Sequence, residues 1–136
     1  MRLALALIAL ASAQPGFAEQ WLEIPTNAPN VIYAVDLDSV ERRADTVRFR
    51  ARLVYIAPNQ RDEATGKLIK EKHMQRVMEC RMQTQGLLAG ALYADDQRMV
   101  EYVAYRPAQV TMMPIPSGTL AEAELKLVCA RKAALK

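Results

Sequence analysis

The chain has 136 residues, of which 51% are hydrophobic and 24% are charged. Its 18 Lys and Arg residues exceed its 15 Asp and Glu residues only slightly, an excess too small for charge alone to indicate nucleic-acid binding. The length fits one ordinary domain, and the alternating apolar segments exclude a mainly disordered chain.

Residues 1–18 predict an export signal. Arg2 supplies a positive charge, residues 3–11 are apolar and uncharged, and Gly16 and Ala18 suit cleavage after Ala18. The apolar stretch is shorter than the roughly 20 residues of a membrane-spanning helix, so we expect no transmembrane anchor. No cysteine stands at the cleavage point, which argues against a lipoprotein anchor. The predicted product is a single domain, residues 19–136, that is periplasmic or secreted.

Turn-forming residues divide the first part of this domain. Segments 20–24 and 31–35 are apolar and predict two strands, separated by a turn that contains Pro and Asn. The acidic segment 36–40 predicts a turn or a single helical turn, and residues 43–45 predict a chain reversal.

The next strand, at residues 46–58, has the clearest pattern in the chain. Apolar side chains alternate with Arg48, Arg50 and Arg52, which predicts one face on a core and one basic face. Beyond Arg52 the second face becomes apolar, with Val54 and Ile56, so we expect that end to be covered on both sides.

Segment 67–82 fits two structures. Its Lys, Glu, Met, Gln and Arg residues favour a helix by propensity. A strand would instead place these residues on one face: Leu68, Met74, Met78, Cys80 and Met82. Segments 87–93 and 99–105 predict two further strands. The residues alone leave 67–82 open between helix and strand.

The C-terminal segment predicts a helix over residues 120–134. Thr119 and Glu122 have capping-box spacing at its start. Leu125, Val128 and Cys129 lie on one face at helical spacing, which predicts that this face is buried.

Cys80 and Cys129 are the only cysteines of the chain. In an exported protein a lone pair predicts one disulfide. It would close a loop of about 50 residues and stabilise the fold by about 4 kcal/mol. The spacing is not that of a redox motif, so we expect a structural role.

The sequence predicts a non-enzymatic protein with no cofactor and no metal site. His73 is the only histidine and has no cysteine nearby to complete a zinc site. Ser39 and Ser117 occur where backbone capping explains them, so a catalytic triad is not expected. The alternative is a hydrolase that uses Asp36 and Asp38, which requires both carboxylates to lie in a cleft.

A series of motifs covers nearly the whole predicted domain in a defined order: Trp21, Tyr33 with segment 36–40, Arg42, Glu79-Cys80, Tyr93, and segment 116–120 leading to Val128-Cys129. This series resembles the bacterial surface-adhesin protein E family. The resemblance implies an α+β fold, in which an antiparallel β-sheet meander carries a C-terminal helix held against one face by the disulfide. It would make segment 67–82 a strand that includes Cys80, and it implies binding rather than catalysis.

Two groups of side chains are candidates for partner binding. Arg48, Arg50 and Arg52 form a basic row that can hold an acidic protein, a polyanionic glycan or lipid phosphates, or that is simply a solvated face. It would be extended by the following residues if their strand pairs alongside: Lys67, Lys70, Lys72 and Arg76. A second group fits either core filling or an adaptable apolar surface: Met74, Met78, Met82, Met112 and Met113.

These observations favour an exported adhesin-like binding module that engages a protein or polyanionic partner through its surface. A periplasmic accessory or inhibitor protein of an envelope complex is the alternative. An open sheet has unpaired edge strands, so a homodimer is a further expectation.

Overall fold

The computed structural model describes residues 20–131. The predicted export signal at 1–18 and the end of the predicted helix at 132–134 lie outside this range. Within it, no helix is long and apolar enough to cross a membrane.

Six strands form an antiparallel meander whose order in the sheet follows the sequence. They are β1 (Trp21–Ile24), β2 (Val31–Arg43), β3 (Thr46–Tyr55), β4 (Ile69–Glu79), β5 (Thr84–Ala94) and β6 (Met99–Ala104). A two-residue strand, β7 (Met113–Pro114), pairs with the start of β5. Within the described residues, one α-helix, α1 (Leu120–Cys129), packs against the first strands. The predicted α+β meander with a C-terminal helix is confirmed.

The hydrophobic core lies between α1 and one face of the sheet. In β3 the alternation is as predicted, with Val47, Phe49 and Ala51 buried while the arginines between them face the other way. Leu125 and Val128 of the helix pack into the same cluster, so the predicted buried face of the helix is confirmed.

The acidic segment 36–40 forms a bulge within β2, so the predicted turn or helical turn is wrong. The pairing of β2 with β3 shifts between Asp36 and Glu41. The Ser39 hydroxyl bridges the gap, because it donates to the Asp36 carbonyl at 2.7 Å and accepts from the Arg50 backbone N–H at 2.8 Å. Side chains that bind nearby backbone groups favour turns and bulges alike.

Segment 67–82 is a strand over Ile69–Glu79, as the resemblance implied. Cys80 lies one residue beyond the end of β4 and forms the predicted disulfide with Cys129, with the two Cα atoms 5.8 Å apart. The disulfide joins the end of β4 to the last residue of α1.

Hydrogen bonds at both ends fix the helix. The Thr119 hydroxyl oxygen accepts from the Glu122 backbone N–H at 3.3 Å, which confirms Thr119 as the N-cap. At the other end the Arg42 guanidinium donates to the Cys129 carbonyl at 2.6 Å. The helix ends there, so its predicted continuation through residues 130 and 131 is wrong; Arg42 satisfies a carbonyl that a further turn would have used.

The predicted coverage at the end of β3 is wrong for Ile56, and the methionines divide between the two alternatives left open for them. Ile56 is 54% exposed rather than covered, because β3 ends at Tyr55 and the chain leaves the sheet. Of the methionines, Met78 is fully buried and Met74 packs against the core, as core filling requires. Three others are exposed instead: Met82, Met112 and Met113.

A polar network is buried between the helix and the sheet. The Glu124 carboxylate is 0% exposed; it accepts from the Tyr33 hydroxyl at 2.6 Å and from the Arg76 guanidinium at 2.6 Å. Arg76 also donates to the Tyr33 oxygen at 3.0 Å and to the Gln85 side chain. Burial raises the pKa of Glu124, against the lowering effects of Arg76 and of the Tyr33 hydrogen bond. Burial, reinforced by Glu124, raises the pKa of Tyr33 well above its usual range.

Candidate functional site

The face of the sheet opposite the helix, called here the open face, carries the basic row. Residues that pair across neighbouring antiparallel strands form rows that run across this face. One row joins Trp21, Asp36, Arg50, Gln75 and Ala89 on β1 to β5. Because side chains alternate along each strand, residues two positions away share this face.

The next row of the open face contains the second central arginine. It joins Ala34, Arg52, His73, Ala91 and Tyr102 on β2 to β6. The edge strands β1 and β6 thus contribute Trp21 and Tyr102, and the alanines lie on β2 and β5 between them.

The structure gives the three arginines of the basic row different surroundings. Arg48 is exposed and faces Glu41 across the strand pair. Arg50 binds the Asp36 carboxylate, which is 0% exposed, so this arginine neutralises a buried charge. Arg52 lies over the Trp21 ring, with its guanidinium carbon 4.4 Å from the ring centroid.

The predicted extension of the basic row is wrong for Lys72 and Arg76, which pair with Leu53 and Phe49. β4 does pair with β3, but its register places Val77, Gln75 and His73 opposite the three arginines. Arg76 consequently points to the helix side and joins the buried network. The side chains of Lys67 and Lys70 bind Asp96 and the Tyr55 carbonyl, respectively. A shift of one residue moves a side chain to the other face of a sheet.

A cavity of about 230 Å³, called here the open-face cavity, lies at the centre of this face. Ala89 and Ala91 are among its lining residues, are 6% and 7% exposed, and form its floor. Its walls are the following larger side chains: Trp21, Arg50, Arg52, His73, Tyr93, Met99 and Tyr102. Small residues on β5 between large residues on its neighbours produce this depression.

His73 lies in the wall of the cavity and is held by two neighbours. Its Nε2 atom is 2.8 Å from a Glu71 carboxylate oxygen, and its ring centroid is 4.7 Å from that of Tyr93. In residues 20–131 no group of three or more His, Cys, Asp or Glu side chains is placed to hold a metal ion.

The carboxylate pair of the hydrolase alternative does not lie in a cleft. Asp36 is buried and bound to Arg50, whereas Asp38 is exposed, and neither lines the open-face cavity. Asp36 also accepts from the Asp38 backbone N–H at 3.1 Å, which fits a structural role in the bulge. The requirement of that alternative is therefore not met.

Sequence reasoning identified the basic row but missed the aromatic walls of the cavity. Met99 and Tyr102 are 54% and 61% exposed on β6, and Tyr93 lies beside them on β5. The run of small residues Ala89, Gly90 and Ala91 within β5 was the available signal. It indicates a site only once the pairing of β4, β5 and β6 is known.

Comparison with known proteins gives a consistent result. The family model described as surface-adhesin protein E matches residues 21–130. Crystal form II of Haemophilus influenzae protein E aligns with a TM-score of 0.59 at 12% identity, covering 93% of this chain and 97% of that one. Another structure of that protein aligns with a TM-score of 0.54 at 13% identity, covering 82% of this chain and 93% of that one. Protein E from non-typeable Haemophilus influenzae aligns with a TM-score of 0.53 at 12% identity, covering 83% of this chain and 86% of that one.

At such identities the solved structures establish a shared fold. A comparison with curated protein sequences gives no match. The family model, in contrast, spans most of the chain and carries the assignment. The chain therefore belongs to the surface-adhesin protein E family.

Proposed function

We propose that this protein is an exported, non-enzymatic binding module of the adhesin type, which engages a partner through the open face. The observation that carries the proposal is the basic row beside an aromatic-walled cavity on a face that the helix leaves uncovered. Aromatic residues and arginine are enriched where proteins bind one another. Membership of the surface-adhesin family supports the same conclusion.

Electrostatics favour an acidic partner. Arg48 and Arg52 lie on the same face of β3, and Asp36 neutralises only Arg50 between them. A positive surface attracts acidic proteins and polyanions, and this attraction weakens as salt screens it. Binding should therefore decrease with increasing ionic strength.

The test uses the domain 19–136 on a solid support, exposed separately to bacterial envelope extract and to extracellular-matrix proteins. We expect the wild-type domain to retain at least one partner. The double variant R48S with R52S should retain much less of that partner. Arg50 is left intact because its loss would leave the buried Asp36 carboxylate without a partner and destabilise the fold. The matched control is Lys126→Ser, which removes an exposed charge from α1, on the other side of the sheet. Equal retention by the double variant and the control would refute the role of the row.

The second candidate function is that of a periplasmic accessory or inhibitor protein of an envelope complex. The observation that favours it is that both cysteines are joined in the disulfide, so neither is available for a lipid anchor. Cell fractionation distinguishes the two functions. Protein confined to the periplasm supports the accessory role, and protein accessible to protease on intact cells supports surface adhesion.

A further inference from the structure

We infer that the open-face cavity binds a short acidic segment of a partner protein, in which an aromatic side chain enters the cavity and a neighbouring carboxylate pairs with Arg52. This inference rests on the proposed binding function and names the chemistry of its ligand. It is carried by the cavity's size, its charge and the arrangement of its aromatic walls.

The size of the cavity fits one side chain. Its volume of about 230 Å³ is below the roughly 300–1,000 Å³ of sites that enclose a whole small molecule. The floor of Ala89 and Ala91 lies close to the sheet backbone, and large side chains rise on both sides. A planar ring can lie on such a floor and contact both walls.

The charge of the cavity favours a carboxylate. Among the described residues that line it, Arg50, Arg52 and His73 are basic and none is acidic. Asp36 already neutralises Arg50, and Glu71 is bound to His73. Arg52 therefore remains the cation for a ligand. Its Nε atom is buried and has no hydrogen-bond partner in the described part of the chain.

Stacking on Trp21 gives Arg52 a defined orientation before any ligand arrives. The guanidinium carbon lies 4.4 Å from the ring centroid, and such a cation–π contact limits the freedom of a long side chain. An oriented guanidinium binds a carboxylate through two parallel hydrogen bonds at a smaller entropic cost.

The opposite wall supplies apolar contacts. Met99 and Tyr102 are 54% and 61% exposed, so both have surface that an incoming ring can cover. Aromatic pairs contribute beyond the area they bury, and Tyr is frequent in binding sites because it has few rotatable bonds. The two walls thus select an aromatic group next to an acidic group.

A polyanionic glycan or lipid surface would use the open face differently. Such a ligand senses the summed charge of the row, so Arg48 would matter as much as Arg52. Arg48 does not line the cavity. The relative importance of these two arginines therefore distinguishes a peptide in the cavity from a polyanion along the row.

Trp21 provides the measurement, because it is the only tryptophan of the chain and lies in the cavity wall. The probe is the peptide acetyl-Glu-Phe-Glu-amide, titrated against the domain while Trp21 fluorescence is recorded. Two matched peptides remove one feature each: acetyl-Gln-Phe-Gln-amide lacks the charges, and acetyl-Glu-Ala-Glu-amide lacks the ring. We expect saturable binding of the first peptide and at least about tenfold weaker binding of the other two.

Variants assign the binding to the cavity. Arg52→Gln should weaken binding of the first peptide about tenfold, Arg48→Gln should weaken it less, and Arg81→Gln, at an exposed arginine away from the cavity, serves as the control. Tyr102→Ser should weaken binding of the peptide that contains Phe but not of the one that contains Ala. A general loss of folding would weaken the binding of both peptides.

Two results would overturn the inference. One is the absence of saturable binding by the Glu-Phe-Glu peptide. The other is an equal loss on changing Arg48 or Arg52, which would instead indicate a polyanion along the row. In either case the capture experiment with the double variant still decides the proposed function, so the two failures are distinguishable.

Discussion

The buried Glu124 carboxylate should be one of the most sensitive single positions in the fold. Replacing it with Ala removes the acceptor of two hydrogen bonds, from the Tyr33 hydroxyl and from the Arg76 guanidinium. The Arg76 side chain is only 15% exposed, so its charge would lose its partner in a poorly solvated site. Breaking a buried ion pair in this way costs about 3–5 kcal/mol.

This cost is a large part of the roughly 5–15 kcal/mol that holds a typical domain folded. With a urea m-value of about 2 kcal/mol per molar, a loss of about 4 kcal/mol lowers the unfolding midpoint by about 2 M. Urea unfolding followed by circular dichroism measures this change in both Glu124→Ala and wild type.

The matched control is Glu122→Ala, which makes the same substitution on the same helix. Glu122 binds Lys126 near the solvent, at 3.2 Å, so its removal should change the midpoint only slightly. The triple variant E124L, R76M and Y33F should be more stable than Glu124→Ala alone, because it removes the stranded polar groups together. If Glu124→Ala and Glu122→Ala shift the midpoint equally, the buried network does not stabilise the fold as argued.

The remaining predictions concern the helix. Replacing Cys80 and Cys129 with Ser should cost about 4 kcal/mol, and hydrogen exchange should show α1 opening first. Arg42→Ala leaves the Cys129 carbonyl without its guanidinium donor and should cost about 1–2 kcal/mol in denaturant unfolding. Because burial raises the pKa of Glu124, its folded state binds the proton more tightly than the unfolded state. Its contribution to stability is therefore largest in acid and declines as the pH rises through that raised pKa. Unfolding free energies of wild type minus Glu124→Gln from pH 4 to 8 should follow this decline; a constant difference would contradict it.

Local patterns predicted the elements whose structure depends on near neighbours. The alternation in β3 follows from its own period of two, and Thr119 caps α1 through a residue three positions away. The disulfide followed from the number of cysteines and the predicted export. Each of these needs only a short stretch of sequence or a simple count.

Features that depend on pairing between distant segments were not predictable in this way. The sequence propensities of segment 67–82 favoured a helix as much as a strand, and only pairing with β3 and β5 makes it β4. The burial of Glu124 depends on Tyr33 and Arg76, which precede it by 91 and 48 positions. The cavity likewise requires side chains from β1, β3, β4, β5 and β6 to meet on one face.

Under the proposed function, one face of the sheet serves stability and the other serves binding. The disulfide, the helix caps and the Glu124 network all lie on the helix side, whereas Arg48, Arg52 and the cavity lie on the other. Arg50 is the exception, because it faces outward but neutralises the buried Asp36. Substitutions of the exposed side chains of the open face, apart from Arg50, should thus alter binding without unfolding the domain.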